Sequence, residues 1–177
     1  MIATIERLLR NKDRVIVAID GMAASGKTTL AGELDGIFSA TVIHMDDFFL
    51  PTELRTQERY AQIGGNVHYE RFIDEVLKPL QGHDMLAFRR FDCHSMAYSI
   101  VEPFYPKQLI IVEGAYALHP KFGRYYDLPI VLRIDADEQK KRILARNGTD
   151  GWKNFEQRWI PMENAYLSEL RSLPNQM

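Results

Sequence analysis

The stretch from residue 15 to residue 28 constrains the fold more than any other part of the sequence. It begins with a short apolar run rich in β-branched residues and continues into a loop of small residues. Gly21, Gly26, Lys27 and Thr28 match the pattern G-x-x-x-x-G-K-[ST] at each fixed position. The residues that follow have the apolar spacing of a helix. The sequence therefore predicts a strand, a phosphate-binding loop and a helix in succession.

The chemistry of nucleotide binding explains this spacing. A loop of small residues between a strand and a helix can turn its backbone N–H groups inward and form a concave anion site. The positive end of the following helix points at the same place. Lys27 would reach the β- and γ-phosphates, and the Thr28 hydroxyl would bind Mg²⁺. We therefore expect ATP and Mg²⁺ as cofactors, held by Gly21, Met22, Ala23, Ala24, Ser25, Gly26, Lys27, Thr28 and Thr29.

Composition and charge narrow the class of protein. A chain of 177 residues with 46 % hydrophobic and 26 % charged residues suits one soluble domain, here 1–177. The formal net charge of −2, without a basic run, gives no support to binding of nucleic acid or a membrane surface. Cys93 is the only cysteine, which excludes an intramolecular disulfide and a cysteine zinc site. We expect a cytoplasmic protein with no membrane span, and the oligomeric state stays open.

Apolar periodicity predicts alternating helices and strands. Helices are expected over residues 2–10, 27–38, 69–80 and 137–146, and strands over 15–19, 41–45, 109–112 and 129–135. This alternation is typical of an α/β fold with a parallel sheet flanked by helices. In the second helix, Leu30, Leu34 and Ile37 are predicted to face inward. A last helix is expected from about Trp152, kinked or broken near Pro161.

Two further segments interrupt the alternation. Residues 50–68 are polar and contain a Gly-Gly pair, so we expect a flexible segment over the cleft. Residues 85–91 and 97–104 alternate in polarity and are rich in aromatic side chains, which favours a β-hairpin.

Acidic residues follow two of the predicted strands, at the edge where parallel sheets bind ligands. Asp46 and Asp47 come after the second strand, and Glu113 comes after the third. A carboxylate there could accept a proton from a substrate hydroxyl or help to hold Mg²⁺. Adjacent residues on an extended backbone point opposite ways, so we expect different roles for the two aspartates and favour Asp46 as the functional one.

Basic and aromatic side chains complete the candidate site. Arg142 and Arg146 lie four apart on one face of a helix that Asn147-Gly148 is expected to end. Guanidinium groups suit phosphate oxygens whose charge shifts during transfer, so both arginines are expected to be catalytic. Aromatic walls and a hydrogen-bonding group suit a planar acceptor. The candidates are Asp47, Phe49, His68 and Phe91, then His94 and Tyr98, while His44, Trp152, Trp159 and Tyr166 are interpreted as structural.

Together these motifs resemble the uridine kinase and phosphoribulokinase-like branch of the P-loop kinases. The matched stretches, in the family order, are Gly21–Thr28, Met45–Phe49, Gly65–Phe72, Val112–Ala115 and Asp135–Asp137 with the arginine helix. The phosphate loop alone is shared by many families, whereas the Asp-x-Phe-aromatic element followed later by Glu-Gly is more specific. The resemblance implies a P-loop NTPase fold with a lid helix at about 137–150. It also implies an acceptor-side insertion at about 48–104 that includes a small substrate-binding hairpin.

The resemblance also implies roles for individual residues. Asp46 resembles the catalytic aspartate, and Glu113 resembles the magnesium-side glutamate. We expect Asp46 to help hold Mg²⁺ as well, together with Thr28 and Glu113. Thr28 resembles the metal ligand of the phosphate loop, and Arg142 and Arg146 resemble lid arginines.

Departures from the family pattern bear on the acceptor. Val67 stands where the family often has an aspartate that holds the ribose hydroxyls. The hairpin has Phe91-Asp92-Cys93-His94 where the family has an aromatic-Asp-x-x-x-His pattern. No final strand is evident after the lid, where the chain ends with residues 173–177.

These observations favour an ATP-dependent kinase that moves the γ-phosphoryl group to a hydroxyl of a small molecule, a nucleoside or a related small alcohol. A nucleotide-dependent switch or ATPase is a second hypothesis, although the sequence lacks a guanine-recognition motif in the right place. A homologue that binds nucleotide but has lost its acceptor site is a third. Acceptor-dependent release of ADP would separate the first hypothesis from the other two.

Overall fold

The computed structural model describes residues 1–82, 84–93 and 95–172, so the expectations for His94 and for residues 173–177 lie outside the described residues. The helices are α1 Ile2–Asn11, α2 Lys27–Phe38, α3 Gln57–Tyr60, α4 Tyr69–Phe72, α5 Lys78–Gly82, α6 Ala136–Asn154 and α7 Ile160–Ser172. The strands are β1 Val15–Gly21, β2 Thr41–His44, β3 Arg89–Asp92, β4 Ala97–Ile100, β5 Leu109–Glu113 and β6 Leu128–Leu132. π-Helical turns join α4 to α5 and α6 to α7, over Ile73–Leu77 and Phe155–Trp159.

In the described part of the chain, the main sheet has four parallel strands in the order β2-β5-β1-β6. The register pairs Glu113 with Ile19 on one side and with His44 on the other. The carboxyl ends of β1, β2 and β5 therefore meet at one edge of the sheet. The predicted α/β architecture is confirmed, and so is its consequence that the glycine loop, the aspartates and Glu113 leave the sheet together.

Helices cover both faces of this sheet because its central strands are apolar on both sides. Along β5, Leu109 and Ile111 pack in the cluster beneath α1 and α2, whereas Ile110 and Val112 pack in the cluster on the opposite face. The second cluster contains Phe72, Val76, Leu77 and Leu80, the face predicted for the helix at 69–80.

The hairpin is also confirmed, since β3 and β4 pair antiparallel with Phe91 opposite Tyr98. An isolated bridge between Leu86 and Phe104 extends the pairing toward the core. The expected strand at 129–135 is shorter and lies at Leu128–Leu132. Asp135 instead caps α6 by accepting N–H bonds from the first turn.

The face of α2 differs from the prediction. Ile37 is 57 % exposed, whereas Ala31 and Leu34 are buried and Phe38 packs against their cluster. The spacing 31, 34, 38 keeps one stripe on the helix, so Phe38 takes the inward position that we assigned to Ile37.

The segment at 50–68 was predicted to be flexible, but the structure gives it two short helices, Thr52–Leu54 and α3, and buries Gly64 to Val67. The Arg59 side chain donates hydrogen bonds to the carbonyl groups of Gly65 and Val67. A Cβ atom on Gly65 would lie 1.8 Å from the carbonyl oxygen of Arg59. The glycine is therefore explained by a close backbone approach and not by mobility.

The expected helix end at Asn147-Gly148 is confirmed as a break within α6. Gly148 leaves the helical conformation with φ 68° and ψ −175°, and a second helical segment continues to Asn154. The expected kink near Pro161 takes the form of the π-helical turn at Phe155–Trp159. Proline has no N–H to donate to the carbonyl four residues earlier, which weakens regular α-helical bonding there. We call residues 136–172 the helical arm.

Among the described residues, no helix combines the length and the apolar character that crossing a membrane requires.

Candidate active site

A cavity of about 570 Å³ opens at the carboxyl edge of the sheet, where the phosphate loop (residues 21–28) meets the helical arm. Phosphate-loop residues, Asp46, Glu113 and the two lid arginines line one part, which we call the phosphate end. The other part, the acceptor end, is lined by Phe49, Arg55, Tyr60, Asn66 and Cys93. The structure therefore gathers most of the predicted catalytic and nucleotide-binding residues around one space.

The backbone of the phosphate loop has an unusual conformation. Gly21 and Gly26 have positive φ angles of 138° and 96°, and a Cβ atom on Gly21 would lie 2.1 Å from the carbonyl oxygen of Leu132. Residues 23–29 line the cavity. The Lys27 Nζ atom donates hydrogen bonds of 2.9 Å to the carbonyl groups of Gly21 and Met22, so these two residues contact the lysine.

The loop has room for an anion. Within the described residues, the hydroxyl of Ser25 is buried without a hydrogen-bond partner, although it lines the cavity. A buried hydroxyl without a partner is uncommon and is satisfied by a bound phosphate or water. The donors of the loop therefore fit a nucleotide phosphate chain.

Thr28 and Glu113 lie side by side. The Thr28 Oγ1 atom donates to the Glu113 carboxylate, at 3.1 and 3.2 Å from its two oxygens. The His44 Nδ1 atom lies 2.6 Å from Glu113 Oε1, and this bond raises the pKa of His44. His44, which we interpreted as structural, thus contacts the predicted metal-side carboxylate.

These groups fit Mg²⁺ better than a transition metal. Among the described residues, no cluster of three or more His, Cys, Asp and Glu side chains could hold a metal ion by itself. Mg²⁺ is commonly held by one or two carboxylates together with substrate phosphates and water. A hydroxyl and a buried carboxylate beside a phosphate loop match that pattern.

The two aspartates diverge, but not for the reason that we gave. They lie in a 3₁₀ turn, Met45–Phe48, and not on an extended backbone. Asp46 lines both the large cavity and a smaller neighbouring one, whereas Asp47 lines the smaller one alone and lies 3.2 Å from the Nε atom of Arg90. Burial raises the pKa of Asp46, the Glu113 charge raises it further, and Lys27 opposes both.

Both lid arginines reach the cavity. Arg142 donates to Glu138 at 2.8 Å and to the carbonyl group of Ala24 at 3.2 Å. Arg146 donates to Asn147 and lies over the ring of Phe155. Their positive charges thus face the phosphate end, as their spacing on one helical face predicted.

The acceptor end differs more from the sequence prediction. Phe49 lines the cavity as expected, but the structure does not bring His68 or Phe91 to it. His68 accepts the N–H of Arg71 at the start of α4. Phe91 packs against Tyr98 and lines the smaller cavity, together with Asp46, Asp47 and Phe49.

Asn66 lines the acceptor end, whereas its neighbour Val67, at the position where the family often has an aspartate, does not. Val67 is fully buried in the core and forms a bridge with Phe49. Adjacent residues on such a bridge face opposite sides. The position where the family often has an aspartate therefore points into the core in this chain.

Comparisons with known proteins address the fold. The sequence matches no protein-family model and no curated protein. Among solved structures, it is similar to a possible uridine kinase from Bacillus stearothermophilus, with 19 % identity over 98 % of this chain and 96 % of that chain and a TM-score of 0.71. It is also similar to YFH7 from Saccharomyces cerevisiae, a candidate P-loop-containing kinase with a circular permutation, with 11 % identity over 94 % and 92 % of the chains and a TM-score of 0.68. This chain has the P-loop kinase fold.

Within the P-loop kinase fold, Asp20 is a buried residue that the sequence analysis missed. Its carboxylate accepts the N–H groups of Gly21, Tyr116 and Leu118 and the hydroxyl of Tyr166. It therefore ties the end of β1 to the segment after β5 and to the helical arm. A single charged residue at the end of an apolar strand, directly before the first glycine of the motif, was the available signal.

The helical arm contributes the other residues that were missed. Phe155 and Trp159 line the cavity, so the interpretation of Trp159 as packing only was wrong. Glu163 accepts the N–H of Ala23 at 2.7 Å, and burial raises its pKa to about 7. Aromatic residues four apart in a polar helix hinted at the first pair, whereas no local pattern indicated Glu163.

Proposed function

We propose that the protein is an ATP-dependent phosphotransferase that moves the γ-phosphoryl group of ATP to a hydroxyl group of a small molecule, with a nucleoside as the acceptor. The observation that carries this proposal is the position of Asp46. Its buried carboxylate lines the same cavity as the phosphate loop and also lines the smaller neighbouring cavity together with Phe49 and Phe91. A hydrolase needs no such second compartment beside its phosphates.

Asp46 serves as the general base in this proposal. A carboxylate whose pKa is raised by burial accepts a proton from an alcohol more readily than an exposed one does. It receives the proton of the acceptor hydroxyl as the oxygen attacks the phosphoryl group. The charges of Lys27, His44 and Arg146 each lower the pKa of Asp46 and so oppose the effect of burial.

The cations of the phosphate end stabilise the transferring group. Lys27, Arg142 and Arg146 surround the space above the loop and counter the charge that spreads over the phosphoryl oxygens. Thr28 and Glu113 would hold Mg²⁺, with Asp46 beside them, and the ion would supply positive charge to the phosphates. Lys27 leaves its two carbonyl partners when it binds phosphate.

The acceptor end suits a planar molecule with polar groups. Phe49 and Tyr60 supply aromatic walls, Arg55 and Asn66 supply hydrogen-bonding groups, and Phe155 and Trp159 of the helical arm line the same cavity. In the described residues, the Asn66 Oδ1 atom is buried without a partner. A nucleoside satisfies both features, with its base against the rings. A small alcohol without a base is the alternative, because Val67 is buried in the core at the position where the family often has an aspartate.

The experiment that tests the proposal is release of ADP from Mg·ATP in the presence of uridine, cytidine, other ribosides, pantothenate, glycerate or simple sugars. Stimulation by one nucleoside supports the whole proposal. Stimulation by a non-nucleoside keeps the phosphotransferase and replaces the acceptor. Steady release that no acceptor changes would overturn the proposal in favour of an ATPase.

A further inference from the structure

The phosphate loop is bonded by side chains that are distant in the sequence. Glu163 Oε2 accepts the N–H of Ala23 at 2.7 Å, and Gln139 Nε2 donates to the carbonyl group of Ala23 at 3.0 Å. Arg142 donates to the carbonyl of the next residue, Ala24. The partners lie 116 to 140 positions apart, and all three belong to the helical arm. Side chains of the arm thus hold Ala23 at both its N–H and its carbonyl group.

The loop needs such support because its backbone is strained at the next position. Ala24 has φ 58°, in the left-handed region that disfavours residues with a Cβ atom. A strained backbone persists only when the surrounding structure over-determines it. A glycine at this position would relieve the strain, but the chain has alanine.

The side chains of Gln139 and Glu163, which bond to Ala23, are themselves buried. Gln139 is 3 % exposed and Glu163 is 8 % exposed. Buried polar side chains in native proteins are hydrogen-bonded, and losing one partner leaves the other unsatisfied. The proposed reaction assigns neither of them a chemical step, so their burial against the loop needs another explanation.

We propose that Gln139 and Glu163 are positioning residues that hold Ala23 so that the loop keeps its phosphate-binding conformation. The inference rests on nucleotide binding by this loop, as in the proposed function. The same arm carries Arg142 and Arg146, so the position of the arm and the conformation of the loop change together. Phosphate binding is therefore coupled to the position of the helical arm against the loop.

The first test is calorimetric titration with Mg·ADP. Gln139→Ala and Glu163→Ala each remove one hydrogen bond to Ala23, and we expect each to weaken binding about 3- to 10-fold. Glu163→Gln keeps an oxygen that can accept the Ala23 N–H, so we expect this variant to bind at least as tightly as the wild type. Rescue by the conservative variant separates positioning from a general loss of structure.

A double-mutant cycle sharpens the test, because both side chains act on one residue. If Ala23 moves when either bond is lost, the double variant binds little worse than each single variant. Glu156→Ala and Gln157→Ala are the matched controls, since both residues are exposed on the same arm. We expect these two variants to bind as the wild type does.

A second measurement does not depend on the ligand. Hydrogen exchange of the amides at 23–27 is expected to accelerate in the two alanine variants, while the amides of β5 stay unchanged. Wild-type affinity together with unchanged loop exchange in both alanine variants would overturn the inference. A wild type that binds no Mg·ADP counts against the proposed function instead, and loop exchange then decides the inference alone.

Discussion

The two ends of the cavity are built differently. The phosphate end is centred on residues 23–29 of one continuous strand–loop–helix unit, which Asp46, Glu113, Arg142 and Arg146 join, whereas the acceptor end takes only single residues from separate segments: Phe49, Arg55, Tyr60, Asn66 and Cys93. A continuous unit carries its own sequence signal, although side chains of the helical arm also bond to it. An assembled surface depends on how distant segments pack, so recognition of the acceptor can change while the phosphate chemistry stays fixed.

The largest loss of turnover is expected at Asp46, which lines the phosphate end and also the smaller cavity. Asp46→Asn removes the proposed base but keeps the size and polarity of the side chain. Because general base catalysis typically contributes about 10²- to 10⁴-fold, we expect turnover to fall by that factor while the affinity for Mg·ATP stays within a few-fold. Steady-state kinetics and calorimetric titration measure the two quantities. Near-normal turnover in this variant would show that Asp46 is not the base.

The second largest loss of turnover is expected from a change within the phosphate end alone. Lys27→Ala removes the charge that reaches the phosphates, so turnover is expected to fall about 10²- to 10³-fold. Affinity for Mg·ADP falls with it, which distinguishes this variant from Asp46→Asn. Unchanged nucleotide binding would contradict the interpretation of residues 21–28 as a phosphate loop. Lys141→Ala is the control, because Lys141 is an exposed lysine that pairs with Glu138 on the arm.

The contrast between the two ends explains how much of the fold and of the site could be predicted from the sequence. The strand, loop and helix of the phosphate end have local signals, namely glycine spacing and apolar periodicity, and α2 has the predicted bounds Lys27–Phe38. Asp46 and Glu113 were found because parallel strands end at one edge. Val67 stands where the family often has an aspartate of the acceptor site, but a shift of one residue on a bridge moves a side chain to the opposite face, and here Asn66 lines the cavity. Glu163 and Trp159 contact the site only through the fold of the arm, which no local pattern describes.

The third prediction uses two neighbours at the acceptor end. Asn66→Ala leaves a bound polar group of the acceptor unpaired, so we expect the KM for the acceptor to rise about 10-fold with the KM for ATP unchanged. Val67→Ala creates a cavity in the core, so we expect a loss of roughly 1–3 kcal/mol in unfolding free energy with both KM values unchanged. If the acceptor KM responds to Val67→Ala and not to Asn66→Ala, the assignment of Asn66 and not Val67 to the acceptor end is wrong.

The smallest effect concerns His68, which the sequence assigned to the acceptor and the structure places at the start of α4. Its Nδ1 accepts the N–H of Arg71, so His68→Ala removes a cap and is expected to lower the unfolding free energy by about 1 kcal/mol or less, with the acceptor KM unchanged.

The stability that His68 contributes should also depend on pH. Burial lowers the pKa of His68 below its usual value, and the charge of Arg71 lowers it further. A histidine with a lowered pKa stabilises the fold above its unfolded-state pKa of about 6.5, and this contribution is lost as the pH falls through the folded-state value. Urea unfolding of both proteins at pH 8 and pH 5 should therefore give the larger difference at pH 8. A difference that grows toward pH 5 would mean that the protonated ring, paired with Glu70, is the stabilising form.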